Sequence, residues 1–388
     1  MGDYFNLGNY QRPITTSVEA ANSWFVRGLI WCYGFNQEEA VRCFEKVIEL
    51  DPECAMGYWG IAYAAGPFYN KPWAWFGFQE RDEAIAYCHE YASRAASLKQ
   101  NASPVEQVLI DAMCAKHPAA VAKDQAVLDN WTQDYADAMR RVYEEFAEDL
   151  DVTCLCAEAV MNLTPWKLWD LQHGIPAQDA CTEEAIAILE HGLEIVAREN
   201  LEPHPGILHF YIHVYEMSPT PEKALPQANQ LRNLCPDVGH LVHMASHIDS
   251  LSGHWQNAAD ANRRAIAVDR EYVKLRGREE FYMISIVHNH DFNIWASMFL
   301  GQFHEALQSA DEICNLVRDK RHLGDKWYLG STLDGYYAGR AHVLVRFGRW
   351  QQICDEDMPK KPNSVPITTI LLVYAKAIAH AALGDLAS

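Results

Sequence analysis

Three groups of histidine stand in the middle of this chain at spacings that could close on a metal ion. His209 and His213 occur in HFYIHVYE, His240, His243 and His247 in GHLVHMASHI, and His288 in HNHDF. Residues three or four apart share one face of a helix, so an HxxxH pair can present two imidazoles to one ion. Glu216 follows His213 at a spacing of three and Asp291 follows His288 at the same spacing, so a carboxylate accompanies two of the groups. A lone helical histidine is ordinarily a satisfied core or surface side chain. Two pairs in register are harder to explain that way, because facing imidazoles repel when protonated and strand polar atoms when neutral. A metal resolves both problems. Glu158, in AEAVMN, is a carboxylate in an apolar, small-residue stretch, which calls for a partner. It is read either as an ordinary helix-end acid or as an extra ligand or general base, and Glu216 is the other candidate base.

The elements that must carry these groups are helices. From Ala21 to Glu53, the residues Trp24, Gly28, Trp31, Phe35, Ala40, Phe44 and Pro52 fall close to the large and small positions of a tetratricopeptide repeat, a helix-turn-helix unit of about 34 residues. Small residues let two helices approach, Phe44 fills the space between them, and Asp51-Pro52 stops the second helix. The next unit starts near Ala55. Taking Ala224, Ala258, Ala306 and Gly348 as the small residues opening later second helices places repeat starts near Pro205, Gly239, Val287 and Asp334. Strand signals are nearly absent, and LTPWKLWDLQHGIPAQDA reads as a loop insertion. The predicted fold is all-α, an α-solenoid of tetratricopeptide-like repeats forming one domain over residues 1–388. Its N-terminal repeats cover about 15–100, central helices with the insertion about 101–203, His-bearing repeats about 204–310 and C-terminal repeats about 311–388.

Counting each repeat from its start, His209 and His213 are positions 5 and 9, and so are His243 and His247; His240 and His288 are position 2, Asp291 is position 5 and Glu216 is position 12. The resemblance to tetratricopeptide proteins implies that these positions line the concave groove, which would bring all eight groups to one surface. Trp59 and Tyr63 are positions 5 and 9 of the second unit and, with Trp295, are expected to wall a substrate cleft. His290 falls at a packing position, His204 precedes Pro205 at a helix start, and His342 is an outlying candidate. The order HPG…HxYIHxxE…SPTPEKALP…GHLVHMxSHI…HN is similar to a His-rich group of tetratricopeptide-repeat proteins. In that group a second His often follows where this chain has Asp291.

Composition bounds the rest. The chain has 388 residues, 49% of them hydrophobic, and a formal net charge of −20. That is ample for a large core. Without a Lys/Arg cluster, neither nucleic acid nor an anionic membrane is an expected partner. The eleven cysteines include no CxxC pair, as expected of buried thiols in a reducing compartment. The N-terminus lacks a basic start followed by an apolar run, and the run from Ile367 to Leu383 is interrupted by Lys376 and His380. No signal peptide or membrane span is expected, and a cytoplasmic location follows. An imidazole-rich set with carboxylates and no cysteine in phase suits copper or iron first, and zinc or manganese second. Three functions follow. The first is an O2-using oxidoreductase acting on a small molecule. The second is a zinc- or manganese-dependent hydrolase or lyase with Glu216 or Glu158 as base. The third is a non-enzymatic scaffold gripping a peptide. Substrate, nuclearity and oligomeric state are not legible.

Overall fold

A computed structural model describes residues 4–278, 280–317 and 327–385. Among these the chain is all-α and tetratricopeptide-like, and it divides into two compact units, Met1–Leu251 and Ser252–Ser388.

The first unit runs through α1 (Glu19–Tyr33), α2 (Gln37–Leu50), α3 (Ala55–Ala65), α4 (Phe78–Leu98), α5 (Pro104–Lys116), α6 (Gln125–Phe146), α7 (Leu150–Met161), α8 (Thr182–Glu199), α9 (Pro205–Glu216), α10 (Leu225–Leu231) and α11 (Gly239–Leu251). Links of a few residues, as between α1, α2 and α3, force successive helices to pack as neighbours. The expected starts hold here: α3 begins at Ala55, α9 at Pro205 and α11 at Gly239. Local chemistry explains the boundaries. The Asn36 side chain accepts from the Glu39 amide to cap α2, Asp149 caps α7 through the Asp151 and Val152 amides, and Ser103 with Glu106 forms a capping box on α5. The close approach inferred at Gly28 is real, since a Cβ there would stand 2.4 Å from Phe44 Cε1. Phe44 is fully buried between the helices it separates.

The insertion after α7 carries the one strand pair among the described residues, Trp169–Asp170 against Ile175–Pro176, antiparallel with Trp169 opposite Pro176. It is pinned to α9 by the Trp169 indole N–H, which donates to the Val214 carbonyl at 2.6 Å.

The second unit holds α12 (Trp255–Arg276), α13 (Met283–Phe299), α14 (Phe303–Val317), α15 (Trp327–Tyr337), α16 (Gly339–Arg346), α17 (Trp350–Asp355) and α18 (Pro366–Leu383). Here the register slips. Helix α13 begins at Met283, ahead of the start expected near Val287, and the helix expected from Asp334 is divided at Ala338 between α15 and α16. Asp334 instead ties α15 to the start of α18, its carboxylate accepting from the Ile367 amide at 2.8 Å and from the Thr368 amide. The expectation that no stretch could span a membrane is corrected, because α18 is long and apolar enough by length and mean hydropathy. Within its own unit α18 buries Ala375 and Ala379 in a cluster with Leu344 and Ile353. His322 lies outside the described residues.

Candidate metal centre

Helices α9 and α11 supply the site. Pro205 at the first turn of α9 has its φ set for a helix and lacks an N–H that would be unpaired there. His204 caps the same turn: its Nδ1 accepts from the Ile207 amide at 3.1 Å, so Nε2 carries the proton and faces Asp151 Oδ1 at 3.3 Å. Asp151 also receives the Tyr33 hydroxyl at 2.6 Å and the Tyr10 hydroxyl. His204 thus orients the helix and is not one of the converging donors.

One turn on, His209, His213 and His240 each offer a ring nitrogen, and the three atoms lie within 4.8 Å of one another. All three residues are buried, at 0%, 1% and 2% exposure. The tautomers of two follow from their partners. His209 Nδ1 lies 2.6 Å from the Tyr33 carbonyl oxygen, which can only accept, so Nδ1 donates and Nε2 keeps its lone pair. That carbonyl is in the last turn of α1, where helix carbonyls lack intrahelical partners. His213 Nδ1 lies 2.7 Å from Glu216 Oε1, so its Nε2 is likewise a bare acceptor. That Nε2 is buried and has no hydrogen-bond partner among the described residues. His209 Nε2 and His240 Nε2 stand 3.2 Å apart.

Glu216 also accepts from His247 Nδ1 through its other oxygen. His247 Nε2 is therefore left facing His243 Nε2 at 2.8 Å, with Ser246 Oγ 3.3 Å from His243 Nδ1. One carboxylate thus fixes the tautomers of histidines from both HxxxH pairs, as outer-shell carboxylates do around metal-binding imidazoles. Burial alone would raise the Glu216 carboxyl, and the imidazoles of His247 and His213 outweigh it and hold the group well below the usual carboxylate range. Burial lowers His209 well below its ordinary value, reinforced by His213, and lowers His213 against the pull of Glu216. These imidazoles are neutral at pH 7, the form a metal requires.

Aromatic rings close the site. The Phe35 ring lies 4.5 Å from His209, 5.5 Å from His213 and 5.2 Å from His240 between ring centroids. Tyr69 and Trp166 approach His213 at 5.1 and 5.5 Å. Phe35 and Trp166 both adopt left-handed backbone, at φ 54° and 63°, a conformation bulky residues rarely take and one found disproportionately at functional sites. Neither was anticipated as part of a site. The readable signal for Phe35 was its place in the tight link between α1 and α2; Trp166 had none beyond the preceding proline.

Glu158, Trp59 and Tyr63 take other partners. Glu158 is buried on α7, accepting from the Tyr63 hydroxyl and approached by Asn162 Nδ2 at 3.4 Å, and its bonds are to these groups and not to a histidine. Burial raises its carboxyl against the pull of Lys116. Trp59 donates its indole N–H to the Leu109 carbonyl at 3.1 Å and stacks on Tyr63 at 5.2 Å, both rings deep in the core. They support the unit; the rings against the histidines include Phe35, Tyr69, Trp166 and Phe210. His288 and Asp291 lie on α13 of the second unit, where His288 Nδ1 is 3.1 Å from the Tyr336 hydroxyl. Asp291 and Trp295 line a cavity with His342 in that unit. His290 packs, buried, 3.6 Å from Glu312.

No family model matches the chain, and no curated protein matches it. Among solved structures, yeast Tom70 aligns at a TM-score of 0.33 and 11% identity, covering 95% of this chain and 82% of that one. The assembly chaperone of RpL4, Acl4 (residues 1–338), aligns at 0.30 and 11%, covering 87% and 99%. The APC/C hetero-tetramer Cut9–Hcn1 aligns at 0.28 and 11%, covering 94% and 70%. Likeness at this level carries no argument about function.

Proposed function

We propose that the chain is a helical-repeat scaffold whose first unit is held around a buried transition-metal centre on α9 and α11, with His209, His213 and His240 as ligands and His243 with His247 as a second donor pair. The observation that carries this is the convergence of Nε2 atoms whose lone pairs are pointed inward by hydrogen bonds on Nδ1. Without an electrophile, the buried His213 Nε2 costs about 1–3 kcal/mol as an unsatisfied acceptor. A metal ion makes it a ligand. Imidazole donors free of cysteine suit copper or iron, with zinc or manganese as alternatives.

The near-complete burial of the three ligands supports a scaffold reading, since donors shut away from solvent leave a substrate little approach. The protein would then work by presenting its helices to a protein partner. An O2-using oxidoreductase acting on a small molecule is the second reading, supported by the imidazole-rich donors and the aromatic wall. The hydrolase or lyase reading is weaker, because Glu216 already receives two imidazoles and Glu158 the Tyr63 hydroxyl. Spectroscopy of the copper- or iron-loaded protein under air tests the choice. A stable spectrum with no O2 uptake across a panel of small phenols and amines supports the scaffold. Turnover abolished by His209→Ala establishes the enzyme.

A further inference from the structure

In the second unit, α13, α15 and α16 border an open cavity of about 320 Å³ that includes Asp291, Ile294, Trp295, Tyr336, Gly339 and His342 in its walls. Asp291 is the one carboxylate among the described residues lining it, and no Lys or Arg is among them. The Trp295 indole side chain lies beside Asp291 and lowers its carboxyl against the effect of burial. The same ring is 45% exposed and lies 6.1 Å from the His342 ring, so it bridges the cavity floor and its mouth. Gly339 faces the carboxylate across the cavity, where a Cβ would make ordinary contact with Asp291 Oδ1 at 3.8 Å.

We infer that this cavity binds a small organic cation, an alkylammonium group whose charge sits against the Asp291 carboxylate and whose apolar part lies along Trp295, Ile294 and Met298. A half-buried carboxylate favours an opposite charge beside it. An indole beside it adds attraction for a cation over its face. The volume is at the small end of ligand sites. Burial pushes the Asp291 carboxyl up to about 7, and a bound ammonium would favour the ionised form. The net charge of −20 draws cations to the surface in general. The cavity, however, distinguishes one carrying an alkyl group from a bare ion. The cation could belong to a free amine or to a lysine side chain of a peptide. The inference uses none of the α9 and α11 histidines, so it stands or falls apart from the metal centre.

The test is calorimetry on the full chain with n-butylammonium and tetramethylammonium, using butyrate as the anionic control. Saturable binding of at least one ammonium ion and none of butyrate is expected. Asp291→Asn should weaken binding at least tenfold. Gly339→Leu, which fills the cavity without removing the carboxylate, should weaken it severalfold, with circular dichroism unchanged for both. A lysine-containing peptide binding more tightly than butylammonium assigns the cation to a protein partner, and equal or weaker binding assigns it to a free amine; either result supports the cation class. The inference is overturned if neither ammonium ion saturates, if Asp291→Asn binds as well as the parent, or if zinc or copper displaces butylammonium one for one and Asp291 proves to be a metal ligand.

Discussion

At the scale of single residues the decisive groups are the partners of the histidines. His209 leans on a backbone carbonyl 176 positions away in sequence, and His213 and His247 share Glu216. Replacing a ligand should therefore cost more than replacing its support. His209→Ala or His213→Ala should weaken metal binding by more than about 100-fold, and Glu216→Gln by about 10–100-fold, the range for losing an outer-shell partner. His304→Ala, at an exposed position of α14, should leave titrations unchanged. The metal-free protein should also respond to pH with a definite sign. His209 and His213 have folded-state pKa values held below the ordinary value of 6.5 by burial. They contribute stability above about pH 6.5, and it is lost as pH falls, at about 1.4 kcal/mol per unit for each group that the fold keeps unprotonated. The depressed Glu216 carboxyl acts in the same direction below about pH 4.3. Chemical denaturation of metal-free protein at pH 7.5 and 5.5 should show the lower stability at 5.5. Equal stability would mean that these groups are not held neutral.

At the scale of the helix, small residues decide whether the ligands meet. Gly206 lies one position into α9, and a Cβ there would fall 2.4 Å from Cys154 Sγ and 2.8 Å from Tyr33 Cδ1. Gly206→Ala should cost about 1–3 kcal/mol by overpacking. It should also loosen metal binding, because α9 must back away from the Tyr33 carbonyl that orients His209. Unfolding curves and a metal titration on this one variant check both. The same scale shows what could be read in advance. Gly28, Ala40 and Pro52 announce a helical hairpin because spacing and size are local properties, and the HxxxH pairs announce a shared helix face for the same reason. Phe35 and Trp166 could not be found this way, since their contacts with α9 join distant parts of the chain through left-handed backbone that no pattern specifies. The role of Glu216 was half legible. Its place in phase with His213 was visible, but its bond to His247 depends on how α9 meets α11. Asp291 fitted the repeat count, yet that count slips in the second unit, where α13 starts early.

At the scale of the whole chain there are two compact units: Met1–Leu251 holds the converging His209, His213 and His240, and Ser252–Ser388 holds the cavity walled by Asp291 and Trp295. Metal loading should therefore stabilise the molecule unevenly. At a free concentration 100 times Kd, a ligand bound only by the folded form adds about 2.7 kcal/mol. Hydrogen exchange should slow in α9 and α11 on loading and stay unchanged in α18. Uniform slowing, or none in α9, would remove the link between metal and first unit. The most direct measurement of all is elemental analysis of protein purified without a histidine tag. The expected result is one or two equivalents of a first-row transition metal per chain, lost in His209→Ala while the helical circular dichroism persists. Protein that emerges metal-free and shows no heat of binding with copper, iron or zinc would contradict the proposed centre.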